Sequence, residues 1–140
     1  YTYVQMSPEQ MRAHAMETFD PDFLRKVQGH PILVVGRNFG CGSSREQASE
    51  CLKHAGVEAV LGRSFARLFF RNSVNLGLPV IESDAAVDAV ETGVAVRLDL
   101  AAGEIAVGDA VVRVPPLPPR ILELLREGGL LAHLRRRRVP

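Results

Sequence analysis

The sequence predicts an α/β fold, a mixed sheet with parallel βαβ units and flanking helices. Three observations carry that prediction. Short apolar runs at Ile32–Val35, 57–61 and 79–81 alternate with helical segments, which calls for parallel strands joined by crossover helices. Gly29, Gly56 and Gly77 punctuate the passage from one element to the next. From residue 94 onward the pattern turns short and alternating, with Gly103 at a turn, as in an antiparallel meander.

The elements follow in order. Ser7-Pro8-Glu9-Gln10 joins a helix cap, a proline at the first helical position and an acidic residue suited to the positive helix end. A short helix carrying Met11, Ala15 and Met16 is expected there. Asp20-Pro21 repeats the start signal ahead of Phe23, Leu24 and Val27. The strand over 32–35 opens into a loop over 36–42 with three glycines, then a helix over 44–55 that Gly56 closes. After the strand over 57–61, Ser64 is expected to cap a third helix, with Phe65, Leu68, Phe69 and Asn72 at helical spacing. Strands over 79–81, 94–98, 104–107 and 110–114 complete the sheet residues. The run Pro115-Pro116-Leu117-Pro118-Pro119 is a stiff linker, and 121–125 with 130–134 form a helix broken at Gly128-Gly129.

The 140 residues suffice for one domain with a real core, and no internal repeat divides them. Hydrophobic residues are 46% and charged residues 24%, with a formal net charge of +1, so no global field points to nucleic acid. The run Arg135 to Arg138 is either a solvated tail or an anion-binding patch. It lacks stacking aromatics and any recognition motif, so no nucleic-acid partner is expected. The longest apolar run, over 31–35, is too short to span a membrane, and none is expected as a partner. Cys41 and Cys51 are too few for a disulfide framework or for an iron–sulfur cluster held by this chain alone, and they fit a cytoplasmic setting. His14, His30, His54 and His133 show no ligand spacing, so no metal site is expected.

The segment Gly36-Arg37-Asn38-Phe39-Gly40-Cys41-Gly42-Ser43-Ser44-Arg45-Glu46 is where chemistry is expected. Its glycines permit positive φ and let a ligand approach the backbone. Ser43 and Glu46 have capping-box spacing, so Ser43 should end the loop and begin the helix. The first helical turn then offers N–H groups and partial positive charge to a carboxylate or phosphate. Arg45 adds a planar fork suited to a bidentate carboxylate contact. Two plainer readings stand beside this one: Ser43 as a cap only, and Arg45 paired with Glu46 or Glu50 on the surface.

The string Gly40-Cys41-Gly42-Ser43-Ser44-Arg45-Glu46 resembles the signature of small subunits of isopropylmalate isomerase and homoaconitase, and of the matching domain of aconitase. The resemblance continues through Ala59-Val60-Leu61, Ser64-Phe65-Ala66-Arg67-Leu68-Phe69-Phe70-Arg71-Asn72 and Asn75-Leu76-Gly77-Leu78-Pro79, and includes Asp20-Pro21-Asp22-Phe23. It implies a swivelling β/β/α domain, the small subunit of a two-subunit hydro-lyase. Such an enzyme removes and re-adds water on a small hydroxy-dicarboxylate or hydroxy-tricarboxylate. It also implies an aconitase-type large subunit as partner, which carries the [4Fe–4S] cluster, with none held by this chain. Ser43 then matches the serine whose alkoxide takes the proton alpha to a carboxylate, and Gly42, Ser44 and Arg45 match substrate contacts. Asn38 and Cys41 in the loop, with Arg67 and Arg71 on the following helix, are expected at the subunit interface or pocket rim.

Two departures from the family pattern stand out. Arg45-Glu46-Gln47-Ala48-Ser49 replaces the common Arg-Glu-His-Ala-Pro, so Gln47 carries no charge. The family's opening strand does not precede Tyr1, and residues 1–140 are expected to form one small-subunit domain without it. Thr2-Tyr3-Val4-Gln5 matches the mobile loop that selects substrate. Val4 and Met6 are apolar and the first basic residue is Arg12, whereas homoaconitase-like loops present an arginine. Burying an unpaired third carboxylate beside Val4 would cost several kcal/mol, so a 2-alkylmalate such as isopropylmalate is expected. Homoaconitase, a methylmalate or dimethylmalate dehydratase, and a non-catalytic anion-binding module are the alternatives.

Overall fold

A computed structural model describes residues 9, 21–40, 47–91 and 93–128. In chain order they form α1 (Phe23–Gly29), β1 (Ile32–Val35), α2 (Gln47–Ala55), β2 (Ala59–Gly62), α3 (Arg67–Asn75) and β3 (Val80–Glu82). There follow α4 (Asp84–Ala89), β4 (Val96–Asp99), β5 (Glu104–Val107), β6 (Ala110–Arg113) and α5 (Pro119–Arg126). The helix expected after Ser7 and the segment 130–134 lie outside the described residues.

β1, β2 and β3 pair in that order and in parallel, with Leu33 opposite Val60 and Val60 opposite Val80. The central strand β2 is buried at all four positions, as a parallel strand covered on both faces must be. β4, β5 and β6 form the expected antiparallel meander, with Ile105 opposite both Leu98 and Val112. The α/β class expected from the sequence is the class found. Its parallel and antiparallel strands lie in two three-stranded sheets rather than one.

Strand alternation divides the core between the two faces of the parallel sheet. Val60 and Val80 point toward Phe23, Val27, Leu52, Phe65 and Phe69, where α1, α2 and α3 pack. Leu61 and Ile81 point the other way, toward Ala86 of α4 and Ile105 and Val107 of the meander. Full burial of a side chain such as Leu61 or Ile105 contributes roughly 1.5–3 kcal/mol. The result is a layered β/β/α arrangement with the parallel sheet in the middle.

Local chemistry explains most boundaries. At the end of α3, Leu78 donates its N–H to the Ser73 carbonyl at 2.8 Å and Gly77 donates to Val74 at 3.0 Å. That double closure requires a left-handed residue, and Gly77 supplies it at φ 79°. The start of α3 differs from expectation. The helix begins at Arg67 with Ala66 at its cap position, and Ser64 caps nothing. Phe65 is drawn out of the helix instead, buried in a bridge to Phe39. Helix α4 had no counterpart in the sequence reading. Ser83 caps it by accepting from the Ala86 N–H at 3.1 Å, and Asp84 sits in its positive first turn.

Candidate functional site

Because β1, β2 and β3 run parallel, their carboxyl ends share one edge, where open α/β sheets bind ligands. Three connections gather there: the loop from residue 36, the turn at 63–66, and Ser83. Residues 41–46 lie outside the described residues, so Cys41, Gly42, Ser43, Ser44 and Arg45, with the Ser43–Glu46 capping box, are not placed. Val4 lies outside as well. What the structure does place is the ground on both sides of them, residues 36–40 and the helix α2 from Gln47.

Residues 36–40 are latched onto the turn after β2. Arg63 and Ser64 both donate their N–H to the Gly36 carbonyl, at 3.1 and 3.4 Å. Phe39 donates to the Ser64 carbonyl at 3.2 Å, and Ala66 returns a bond to the Phe39 carbonyl at 2.9 Å. The Ser64 hydroxyl accepts from the Asn38 N–H at 2.7 Å. Asn38 has φ 53°, a left-handed conformation that asparagine tolerates better than most residues. The turn is itself tied to β3, since Phe65 donates its N–H to Glu82 Oε1 at 3.1 Å.

Three rings lock the same junction. Phe39 meets Phe65 and Phe69 edge-on, with centroids 6.4 and 5.2 Å apart, and Phe65 stacks on Phe69 at 5.9 Å. Gly40, at φ 87°, lies so close to the Phe69 side chain that any Cβ would collide with it. The last described loop residue is therefore a glycine for reasons of both conformation and space.

A charged network crosses the same edge. Arg63 bonds Asp84 at 3.1 Å and also Asp88, while Arg37 reaches Asp84 at 3.5 Å. The hydrogen bonds that Arg63 donates to Asp88 and Asp84 raise the affinity of its guanidinium for its proton, and the bond to Asp88 holds that carboxyl below the usual carboxylate range. Arg37, Arg63 and Asp84 follow the carboxyl ends of β1, β2 and β3 in turn, so the network joins all three connections. Arg37 belongs to the segment where chemistry is expected, but the pairings themselves were not legible, because each spans more than twenty positions.

The other site candidates fall as follows. Asn38 is exposed in the latched loop. Arg67 and Arg71, one turn apart, are exposed on α3, beside Leu68 at 44% exposure. Cys51 packs at the edge of the core, and His30 and His54 are exposed. Among the described residues no three His, Cys, Asp or Glu side chains gather as a metal site, and no described helix is long and apolar enough to cross a membrane. An open hollow of about 390 Å³ lies between β4 and α5, lined by Arg97, Leu98, Leu100, Leu122 and Leu125 among others. It shares no residue with the carboxyl edge, and the bonded, glycine-shaped edge is the better candidate for chemistry.

A family model described as the aconitase C-terminal domain matches residues 2–85, which takes in the parallel sheet and its latched loop. The 3-isopropylmalate dehydratase small subunit of Syntrophus aciditrophicus is 46% identical over 132 residues, 93% of this chain and 80% of that protein. The corresponding protein of Moorella thermoacetica is 44% identical over the same shares. A crystal structure of 3-isopropylmalate dehydratase from Methanocaldococcus jannaschii superposes with a TM-score of 0.83 at 36% identity, over 95% of this chain and 80% of that one. The class is thus the aconitase-type hydro-lyases. Within it, the chain belongs to the family of 3-isopropylmalate dehydratase small subunits.

Proposed function

We propose that this subunit acts as the lid of a heteromeric dehydratase that isomerises 2- and 3-isopropylmalate by loss and return of water, and that it works only when joined to an aconitase-type large subunit. The observation that carries the reading is the latched loop 36–40 at the carboxyl edge, which leads directly into the Gly40–Glu46 signature. In this reading Ser43, as its alkoxide, takes the proton alpha to a substrate carboxylate. Ser44, Arg45 and the backbone at Gly42 hold that carboxylate, and Val4 lines the side that receives the alkyl group. A serine is a weak base in water. Arg45 and the positive end of α2 would stabilise its alkoxide, the more so once closure against the partner excludes water.

The full sequence holds two cysteines, Cys41 and Cys51, fewer than the three or four thiolates an iron–sulfur cluster normally takes. Cys51 is the single cysteine among the described residues and packs beside Leu52. We therefore assign the [4Fe–4S] cluster to the large subunit. The exposed face of α3 formed by Arg67, Leu68 and Arg71, together with Asn38 and Cys41 at the loop, is assigned to the contact with that partner. The reading places the enzyme in the cytoplasm and requires neither nucleic acid nor a membrane.

The test is anaerobic co-purification with the host's large subunit, followed by assay on isopropylmalate, homoaconitate and dimethylmalate. Turnover that needs both subunits and favours isopropylmalate supports the reading. Preference for homoaconitate or dimethylmalate would refute the substrate assignment. Absence of turnover on any acid would leave an anion-binding module as the better account.

A further inference from the structure

We infer that Ser64 is a positioning residue for the reaction: its hydroxyl fixes Asn38 in the left-handed conformation and so aims the chain that continues to Ser43. The inference rests on the function proposed above, and one of its two tests does not. Ser64 bonds three successive parts of the loop: its N–H to the Gly36 carbonyl, its carbonyl to the Phe39 N–H, and its hydroxyl to the Asn38 N–H at 2.7 Å. The third of these is the shortest, and the only one that a side-chain substitution removes.

Asn38 needs that partner more than its neighbours do. It is the one described non-glycine residue with positive φ, and such a conformation persists only where its surroundings hold it. Two residues later Gly40 turns left-handed again. The direction in which the chain leaves toward residue 41 is therefore set across two unusual dihedrals. The hydroxyl fixes the first, and contact with Phe69 fixes the second. Ser64 itself stands on firm ground: Phe65 beside it is buried and bonded through its N–H to Glu82, and Ala66 is bonded to Phe39. A helix cap, the ordinary explanation for a serine before a helix, is not its role, since α3 begins at Arg67.

Asn38 is exposed, so without the hydroxyl its N–H is free to bond water and the fold should persist. What should change is where the loop points. A displacement on the order of 1 Å at a reacting group costs about 100-fold in rate.

The test compares Ser64→Ala and Ser64→Thr with the unmodified chain, each in complex with the large subunit. In Ser64→Ala we expect kcat to fall by about 10- to 100-fold with KM and subunit assembly little changed, and Ser64→Thr to recover most of the loss. Amide exchange at Asn38 in Ser64→Ala should rise by about tenfold or more, while exchange in β2 stays as it was. Unchanged exchange at Asn38, unchanged kcat, or failure of Ser64→Thr to recover activity would each overturn the inference. So would a Ser64→Ala subunit that no longer folds or assembles, since the bond would then be structural. A wild-type complex inactive on every acid would refute the proposed function, and the exchange measurement would then decide this inference alone.

Discussion

Gly40 shows how much of the site depends on single residues. At φ 87° a side chain costs about 1–2 kcal/mol in conformation alone, and a Cβ there would also drive into Phe69. With an overpacking cost of about 1–3 kcal/mol added, Gly40→Ala should destabilise the chain by about 2–5 kcal/mol in denaturant unfolding. Gly29→Ala, which meets open space, should cost far less. The loop glycines were legible as glycines, since a ligand loop between strand and helix calls for them. The particular demand at Gly40 was not, because it arises from a ring twenty-nine positions further along. Ser64 is the converse case. Its place before an apolar helical run suggests a cap, and tertiary contacts override that local preference once Phe65 turns inward to meet Phe39. The motif residues Ser43, Ser44 and Arg45 rest on resemblance alone, since they lie outside the described residues.

Among the elements, α2 and α3 share a feature that neither helix reveals alone. Ser49 and Ser73 are fully buried and bond each other at 2.9 Å across the helix pair. Each satisfies the other, so removing one hydroxyl leaves a buried polar group without its partner. Ser49→Ala or Ser73→Ala should each cost about 1–3 kcal/mol, and the double variant should cost less than their sum. Chemical denaturation of the four chains completes the cycle, and strict additivity would contradict the pairing. Element placement was otherwise largely readable. β1 and β5 fall where their apolar patterns put them, and Gly56, Gly77 and Gly103 all adopt the positive φ that turn signals require. Helix α4 was missed because Asp84–Ala89 is short and rich in alanine, with no apolar stripe strong enough to announce it. Its start signal, Ser83-Asp84, was present and comes directly after a strand.

On the scale of the whole molecule, the parallel sheet separates two kinds of support. Helices α1–α3 and the aromatic junction brace the loop from one side, and α4 with the meander backs the sheet from the other. The charged network ties the three carboxyl-end connections together on the surface, where such pairs contribute little to stability and more to orientation. Facing outward beside the loop are Arg67, Leu68 and Arg71, the face assigned to the large subunit. Leu68→Glu combined with Arg71→Glu should weaken capture of that subunit by about tenfold or more. The melting temperature of the isolated chain should scarcely change, since both side chains are exposed. Unchanged capture would move the interface elsewhere. That a lid and a base are combined in one chain is the central claim, and a single comparison reaches it most directly: kcat of the assembled enzyme with and without the Ser43 hydroxyl. Ser43→Ala should lower kcat on isopropylmalate by about 10²- to 10⁴-fold while a competing dicarboxylate binds almost as before. A Ser43→Ala complex that turned over at the wild-type rate would contradict the account.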